Sequence, residues 1–185
     1  MLREEIALIE VADRVGFKYA WASEHHFLDE YSHLSASEAF MAFALARTKN
    51  IHIGSGIINI TPNVSPPSRV AEKVAMLDPL GQGRFEWGTG RGSSSTEVFG
   101  FNIDSMDVTR EMYDETLPEI IKMMGAIRTA RALGLQLMQQ GYVKAAQLRG
   151  ESGPAIIVRE LLPSFEALLA DLHPGSAKAE VWSQP

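Results

Sequence analysis

Glu24-His25-His26 follows directly on the apolar run Tyr19–Ser23 (YAWAS). An imidazole changes charge near neutral pH. A histidine at a strand's mouth can therefore act as a general acid or base, or hydrogen-bond a bound intermediate. Adjacent residues on an extended chain point to opposite faces, so one histidine can line a pocket while the other packs or caps. A pair of hydrogen-bonded structural histidines is the plainer alternative. Adding His33 does not complete a metal site, because the chain has no HExxH pattern and no cysteine.

Gly88-Thr-Gly-Arg-Gly92-Ser-Ser-Ser is the second group. Its glycines let backbone approach a ligand, and consecutive amides can form an anion nest. Arg91 adds a cation with the bidentate geometry that suits phosphate, and Ser93–Ser95 add hydroxyl donors. The competing reading is a glycine-rich turn whose arginine pairs with a carboxylate. The run is neither a dinucleotide fingerprint, since Ser93 stands at the third glycine, nor a P-loop, since no Gly-Lys-Ser/Thr follows. No GxSxG elbow is present. Gly54-Ser-Gly56-Ile57 is a weaker signal: glycine inside a strand marks close approach of a flat ligand, or only packing relief.

Each group needs an element to carry it. Tyr19–Ser23, Ile51–Ile58 and Arg84–Gly90 read as strands, each running into polar residues: Glu24 to His26, then Asn59, Thr61 and Asn63, then Arg91 and the serines. If they are parallel neighbours, these clusters meet at one end of the sheet, where parallel α/β folds place their chemistry. Helices alternate with the strands. Leu2–Val15 is amphipathic and Gly16 stops it. The second helix spans about Ser35 to Thr48 behind the capping box Ser35-Ala-Ser-Glu38. The third opens on Ser65-Pro66-Pro67 and ends at Asp78-Pro79 and Gly81. The fourth spans about Asp104 to Met124, with Pro118 kinking it. Further on, 126–140 and 156–172 read as helical, with Leu135–Met138 a strand in the alternative, and His173–Pro185 as a loose tail. The order predicts right-handed βα units on a parallel sheet.

The 185 residues suffice for one sizeable core. The lack of cysteine excludes disulfides, thiolate metal sites and a thiol nucleophile. A net charge of −6 without a basic block argues against nucleic acid as a partner. No apolar run approaches membrane-spanning length and the start has no signal-peptide pattern, so the expected location is the cytoplasm.

Together EHHF (24–27), IHIGSGIINI (51–60) and PPSRVAEKVAMLDPLGQGRFEWGTGRG (66–92) resemble the luciferase-like monooxygenase family. Val98-Phe-Gly-Phe101 and Thr109-Arg-Glu111 continue the likeness, which covers about Leu2 to Met124. The resemblance implies a TIM-barrel enzyme using reduced FMN, or a deazaflavin, with oxygen and an organic substrate. It implies that His25 is the pocket histidine assisting the oxygen chemistry. It also implies that Arg91 grips the flavin phosphate with Ser93 beside it, and that Gly56–Ile57 is a non-prolyl cis peptide beneath the flavin ring. In proteins it resembles, the second and third helices form a dimer interface. A homodimer, or a dimer with a paralogous chain, is therefore expected through 35–48 and 65–78, using Ala39, Ala42, Phe43 and Ala46 with Val70, Ala71, Val74 and Ala75.

A complete barrel needs about 250 residues. This chain begins inside the family's first helix, and its likeness fades after Met124. The expectation is an α/β fold representing roughly the first half of a TIM barrel. Residues 1–124 form the barrel portion, and 125–185 form a helical remainder of the same domain. A truncated or internally deleted relative follows, binding flavin weakly or not at all by itself and with little activity. The rival expectation is a non-catalytic chain: a flavin-binding or subunit-interface module, or an inactive fragment.

Overall fold

The fold was analysed in a computed structural model, which describes residues 1–139, 141–156 and 163. It divides into two compact units, Met1–Ile127 and Arg128–Pro185. In the first, helix α1 (Leu2–Val15) leads to β1 (Tyr19–Ala22), α2 (Ser37–Arg47) to β2 (His52–Ser55) and β3 (Ile58–Asn59), and α3 (Pro67–Leu80) to β4 (Phe85–Glu86) and β5 (Thr89–Gly90). A short α4 (Ser95–Gly100) precedes the long α5 (Val108–Met138). In the second unit, α6 (Gly141–Leu148) and α7 (Gly153–Ile156) bury Val143, Ala146 and Ile156.

All strand pairing among the described residues is parallel. β2 lies between β1 and β4, with Tyr19 opposite His52 and Ile53 opposite Phe85. β3 and β5 form a second pair, with Ile58 opposite Thr89 and Asn59 opposite Gly90. The described strands form an α/β arrangement that does not close into a barrel. One sheet face carries Ala22, Ile53 and Phe85 into a core with Met41, Ala44 and Leu45 of α2 and Val70, Ala71, Val74 and Leu77 of α3. Alternation along β1 turns Tyr19 and Trp21 to the opposite face, where they stack at 6.2 Å between ring centroids and stay exposed.

The two longer strand expectations are each interrupted. Ile51–Ile58 breaks at Gly56–Ile57, whose peptide bond is cis, and the chain resumes in the second sheet. Arg84–Gly90 breaks at Trp87-Gly88 for the same handover. The Ser55 hydroxyl fastens the crossing, donating to the Gly88 carbonyl at 2.7 Å and accepting the Gly88 N–H at 2.9 Å. A Cβ at Gly88 would stand 2.1 Å from the Ser55 carbonyl oxygen, which is backbone and cannot swing away. A Cβ at Gly54 would meet the Trp21 ring at 2.4 Å, but that side chain is 58% exposed and can move. Gly88→Ala is therefore expected to cost about 1–3 kcal/mol and Gly54→Ala clearly less. Thermal melts of both variants read this, and an equal or larger loss for Gly54→Ala would contradict it.

Helix ends also differ from expectation. The box Ser35-Ala-Ser-Glu38 does not form: α2 begins at Ser37, and the Glu24 carboxylate from beyond β1 accepts the Ser37 N–H and hydroxyl. A carboxylate there suits the positive end of the helix. Ser65 does not cap α3, whose N-cap is Pro66, and α3 continues through Pro79 to Leu80. Pro118 lies within α5, which runs on past Met124 as helix, so Leu135–Met138 is helix and not strand. Thr116 and Ile120 are buried, whereas Met123 is turned outward. Residues 157–162 and 164–185 lie outside the described residues, and with them the expected helix over 156–172 and the tail. The expected interface face needs correction on α3. Val70, Ala71 and Val74 are buried in this chain's own core, and the outward side carries Arg69, Glu72, Met76 and Leu80. On α2, Ala39, Phe43 and Ala46 remain outward.

Asp13 locks the entry to β2. Its carboxylate accepts the amides of Lys49, Asn50 and Ile51 at 2.7–2.9 Å. The Lys49 amide above all holds its carboxyl below the usual range. The amides of Ile51 and Asn50 and the charge of Arg84 act the same way, while burial opposes them. A depressed carboxyl stabilises the fold above its unfolded value of about 3.9, and that contribution disappears as pH falls through the folded value. Asp13→Ala is thus expected to lose about 1 kcal/mol at pH near 7, after allowance for solvent screening. The gap from wild type should close below the ordinary carboxylate range. Urea unfolding across pH checks this, and a gap that widens in acid would contradict it.

Candidate active site

The ends of β1, β2, β3 and β5 bring the separate sequence signals together. Glu24, His25 and His26 after β1, Gly56 and Ile57 after β2, Asn59 on β3, Gly90 on β5 and Arg91, Gly92 and Ser93 beyond it line one cavity of about 240 Å³. All five residues singled out in the sequence, His25, Gly56, Ile57, Arg91 and Ser93, lie on its wall. Sites for drug-sized ligands enclose about 300–1,000 Å³, so the described cavity falls just below that range.

Local structure explains the wall. Gly90 lies under Ile57, where a Cβ would come within 2.9 Å of the Ile57 Cδ1. Gly92 takes a φ of 78°, a left-handed turn that glycine adopts without strain, and a Cβ there would meet Asn59 Nδ2 at 2.8 Å. Asn59 is held by Thr61, whose amide and hydroxyl both donate to its Oδ1 at 3.0 and 2.8 Å. Among the described residues, Arg91 pairs with no carboxylate. Its Nη1 donates to the Met106 carbonyl at 3.0 Å and the Thr109 hydroxyl at 2.7 Å, at the start of α5. The two bonds engage one nitrogen of the guanidinium.

Glu97 was missed. It sits on α4, buried at 5% exposure, and faces the histidines. Its Oε1 accepts the His26 backbone N–H at 2.8 Å, and His25 Nδ1 lies 3.4 Å from its carboxylate oxygens. The available signal was Ser94-Ser-Thr-Glu97, the spacing of a capping box, which announces a helix start three residues after the glycine run. The box itself does not form, because Glu97 is committed to the histidine loop. His26 packs edge-on against Phe101 at 5.0 Å and reaches the Glu24 Oε1 with its Nε2 at 3.2 Å. His33 stands apart from this cavity. No helix among the described residues is long and apolar enough to cross a membrane.

The cavity lining combines a guanidinium, a hydroxyl, glycine backbone, the Gly56–Ile57 peptide and an imidazole, donor types that suit an anionic group. Limonene 1,2-monooxygenase of Rhodococcus erythropolis is 28% identical over 145 residues, covering 78% of this chain and 36% of that protein. 4-Hydroxyprotoasukamycin monooxygenase of Streptomyces nodosus subsp. asukaensis is 32% identical over 123 residues, covering 66% and 32%. The crystal structure of monooxygenase RslO1 from Streptomyces bottropensis superposes with a TM-score of 0.59 at 36% identity, covering 64% of this chain and 35% of that one. The oxygenating constituent of 3,6-diketocamphane monooxygenase from Pseudomonas putida, a type II Baeyer–Villiger monooxygenase solved in complex with FMN, shares the fold. It superposes with a TM-score of 0.60 at 22% identity, covering 66% and 34%. The chain thus spans about a third of the length of the relatives it matches. The family model described as luciferase-like monooxygenase matches residues 1–131, and the chain belongs to that family.

Proposed function

We propose that this chain carries the FMN-binding and oxygen-handling wall of a flavin-dependent monooxygenase acting on an organic substrate, built as part of a TIM barrel, with residues 1–124 as its barrel portion. The observation that supports the reading most is convergence: His25, the Gly56–Ile57 cis peptide, Arg91 and Ser93 come from separate segments and line one cavity. FMN bound in the related type II Baeyer–Villiger monooxygenase supports the choice of cofactor. A deazaflavin carrying a phosphate would meet the same donors.

Reduced FMN, when bound, supplies the two electrons that activate oxygen for transfer to the organic substrate. The protein's part is to bind, orient and move protons. Arg91 and Ser93 hold the phosphate, with the Gly92 backbone admitting it closely. The Gly56–Ile57 peptide would lie against the planar part of the cofactor. His25 holds or moves a proton within the cavity. The outward alanines of α2 form the surface for a second subunit.

A second reading has its own support. The described strands leave the sheet open, as suits a flavin-binding or interface module without turnover of its own. Two measurements separate the readings. FMN titrated into the purified chain is expected to show weak, saturable fluorescence quenching that riboflavin matches poorly. Oxygen uptake with reduced FMN then distinguishes enzyme from module. A folded, monodisperse chain that quenches neither flavin would overturn both flavin-binding readings and leave the interface module.

A further inference from the structure

His25 and His26 are neighbours in sequence, yet the fold gives each its own carboxylate. His25 presents Nδ1 to Glu97, 3.4 Å from both Oε1 and Oε2. His26 presents the other ring nitrogen, Nε2, to Glu24 at 3.2 Å. Neither carboxylate is free to follow its histidine. Glu97 is anchored by the His26 backbone amide and is 5% exposed, and Glu24 is anchored by Ser37 at the start of α2. An ionised carboxylate offers only acceptors, so the imidazole nitrogen facing it carries the hydrogen. Among the described residues, His25 Nε2 has no protein partner, and His25 lines the cavity. The charged and titratable groups around it are Glu97 from α4, Glu24 and His26 from its own segment, and Arg91 from the loop after β5.

We infer that Glu97 is a positioning residue that holds His25 in its Nδ1–H tautomer, leaving the Nε2 lone pair to the cavity, while Glu24 holds His26 in the opposite, Nε2–H tautomer. What this arrangement is for rests on the proposed function: a lone pair at Nε2 accepts a proton from an N–H or O–H of what is bound. Glu97 acts through His25 and touches no reacting group. The tautomers themselves are properties of this chain without any flavin.

The test is nuclear magnetic resonance of the full chain carrying ¹⁵N-labelled histidine, at a pH roughly 1.5 units above the ordinary histidine value. Two-bond ¹H–¹⁵N correlations distinguish the tautomers. His25→Gln and His26→Gln each remove one set of signals among the five histidines and so assign them. His25 is expected to favour Nδ1–H by roughly tenfold or more, the ratio that a hydrogen bond to a charged group supports. His26 is expected to favour Nε2–H. Glu97→Gln should remove the His25 preference and leave that of His26, and Glu97→Asp should restore part of it. An Nε2–H or evenly mixed His25 in the wild-type chain would overturn the inference, and that spectrum decides even where Glu97→Gln fails to fold. An unchanged His25 preference in a folded Glu97→Gln chain would overturn it equally. FMN titration of the same sample is scored separately, so loss of the flavin reading and loss of the tautomer assignment give different results.

Discussion

Replacing His25 by alanine is expected to lower turnover with reduced FMN and oxygen by about 10²–10⁴-fold, the range for removing a general acid or base. The melting temperature and FMN affinity should barely move. His25 lies on the cavity wall and is partly exposed, and its Nδ1 contact to Glu97 is long at 3.4 Å. Little packing is lost with it. His26 is built the other way. Its ring meets Phe101 edge-on at 5.0 Å and Phe27 at 6.3 Å, and its Nε2 is tied to Glu24. His26→Ala removes that packing and is expected to lower the melting temperature by several degrees, with aromatic contacts of this kind contributing about 0.5–1.5 kcal/mol each. Oxygen uptake and thermal melts of the two variants give the comparison. A large stability loss from His25→Ala with turnover retained would make His25 a structural histidine.

Arg91→Ala is expected to weaken FMN by about 1.5–3 kcal/mol, roughly 10- to 150-fold, as for a hydrogen bond to a charged group. Riboflavin, which lacks the phosphate, should lose far less. The bonds of Arg91 to Met106 and Thr109 use Nη1 and fix the side chain's direction without neutralising its charge. Removing the side chain also strips a donor from the start of α5, so the riboflavin control separates phosphate binding from a general loosening. Equal losses for both flavins would remove Arg91 from the phosphate site.

Much of the positioning was legible because strand ends announce themselves. YAWAS, IHIGSGII and RFEWGTG each switch from apolar to polar at the point where the chain reaches the cavity. The breaks inside the two later strands were not legible by alternation. Gly54, Gly56 and Gly88 have no side chain to show which face they occupy, so periodicity cannot locate a crossing between sheets. Two helix starts differ from the local pattern for a related reason. Ser35 and Ser65 have capping chemistry, but Glu24 takes over the first and Pro66 the second. A cap supplied from a distant strand leaves no local spacing to read. Glu97 was overlooked because its partners lie 71 and 72 residues away.

The parallel pairing has a consequence for how the chain reaches its fold. Tyr19 must find His52, Ile53 must find Phe85 and Ile58 must find Thr89, each across an intervening helix. None of these ladders can be seeded by a hairpin, so each loop-closure entropy is met before any strand pairing rewards it. α1, α2 and α3 are the parts that can form locally, and β2, bonded on both sides, is the strand on which their two crossovers converge. Assembly of the site then waits on the last of these encounters. Arg91 follows directly on β5, so its place on the cavity wall depends on the pairing of β5 with β3 across α3.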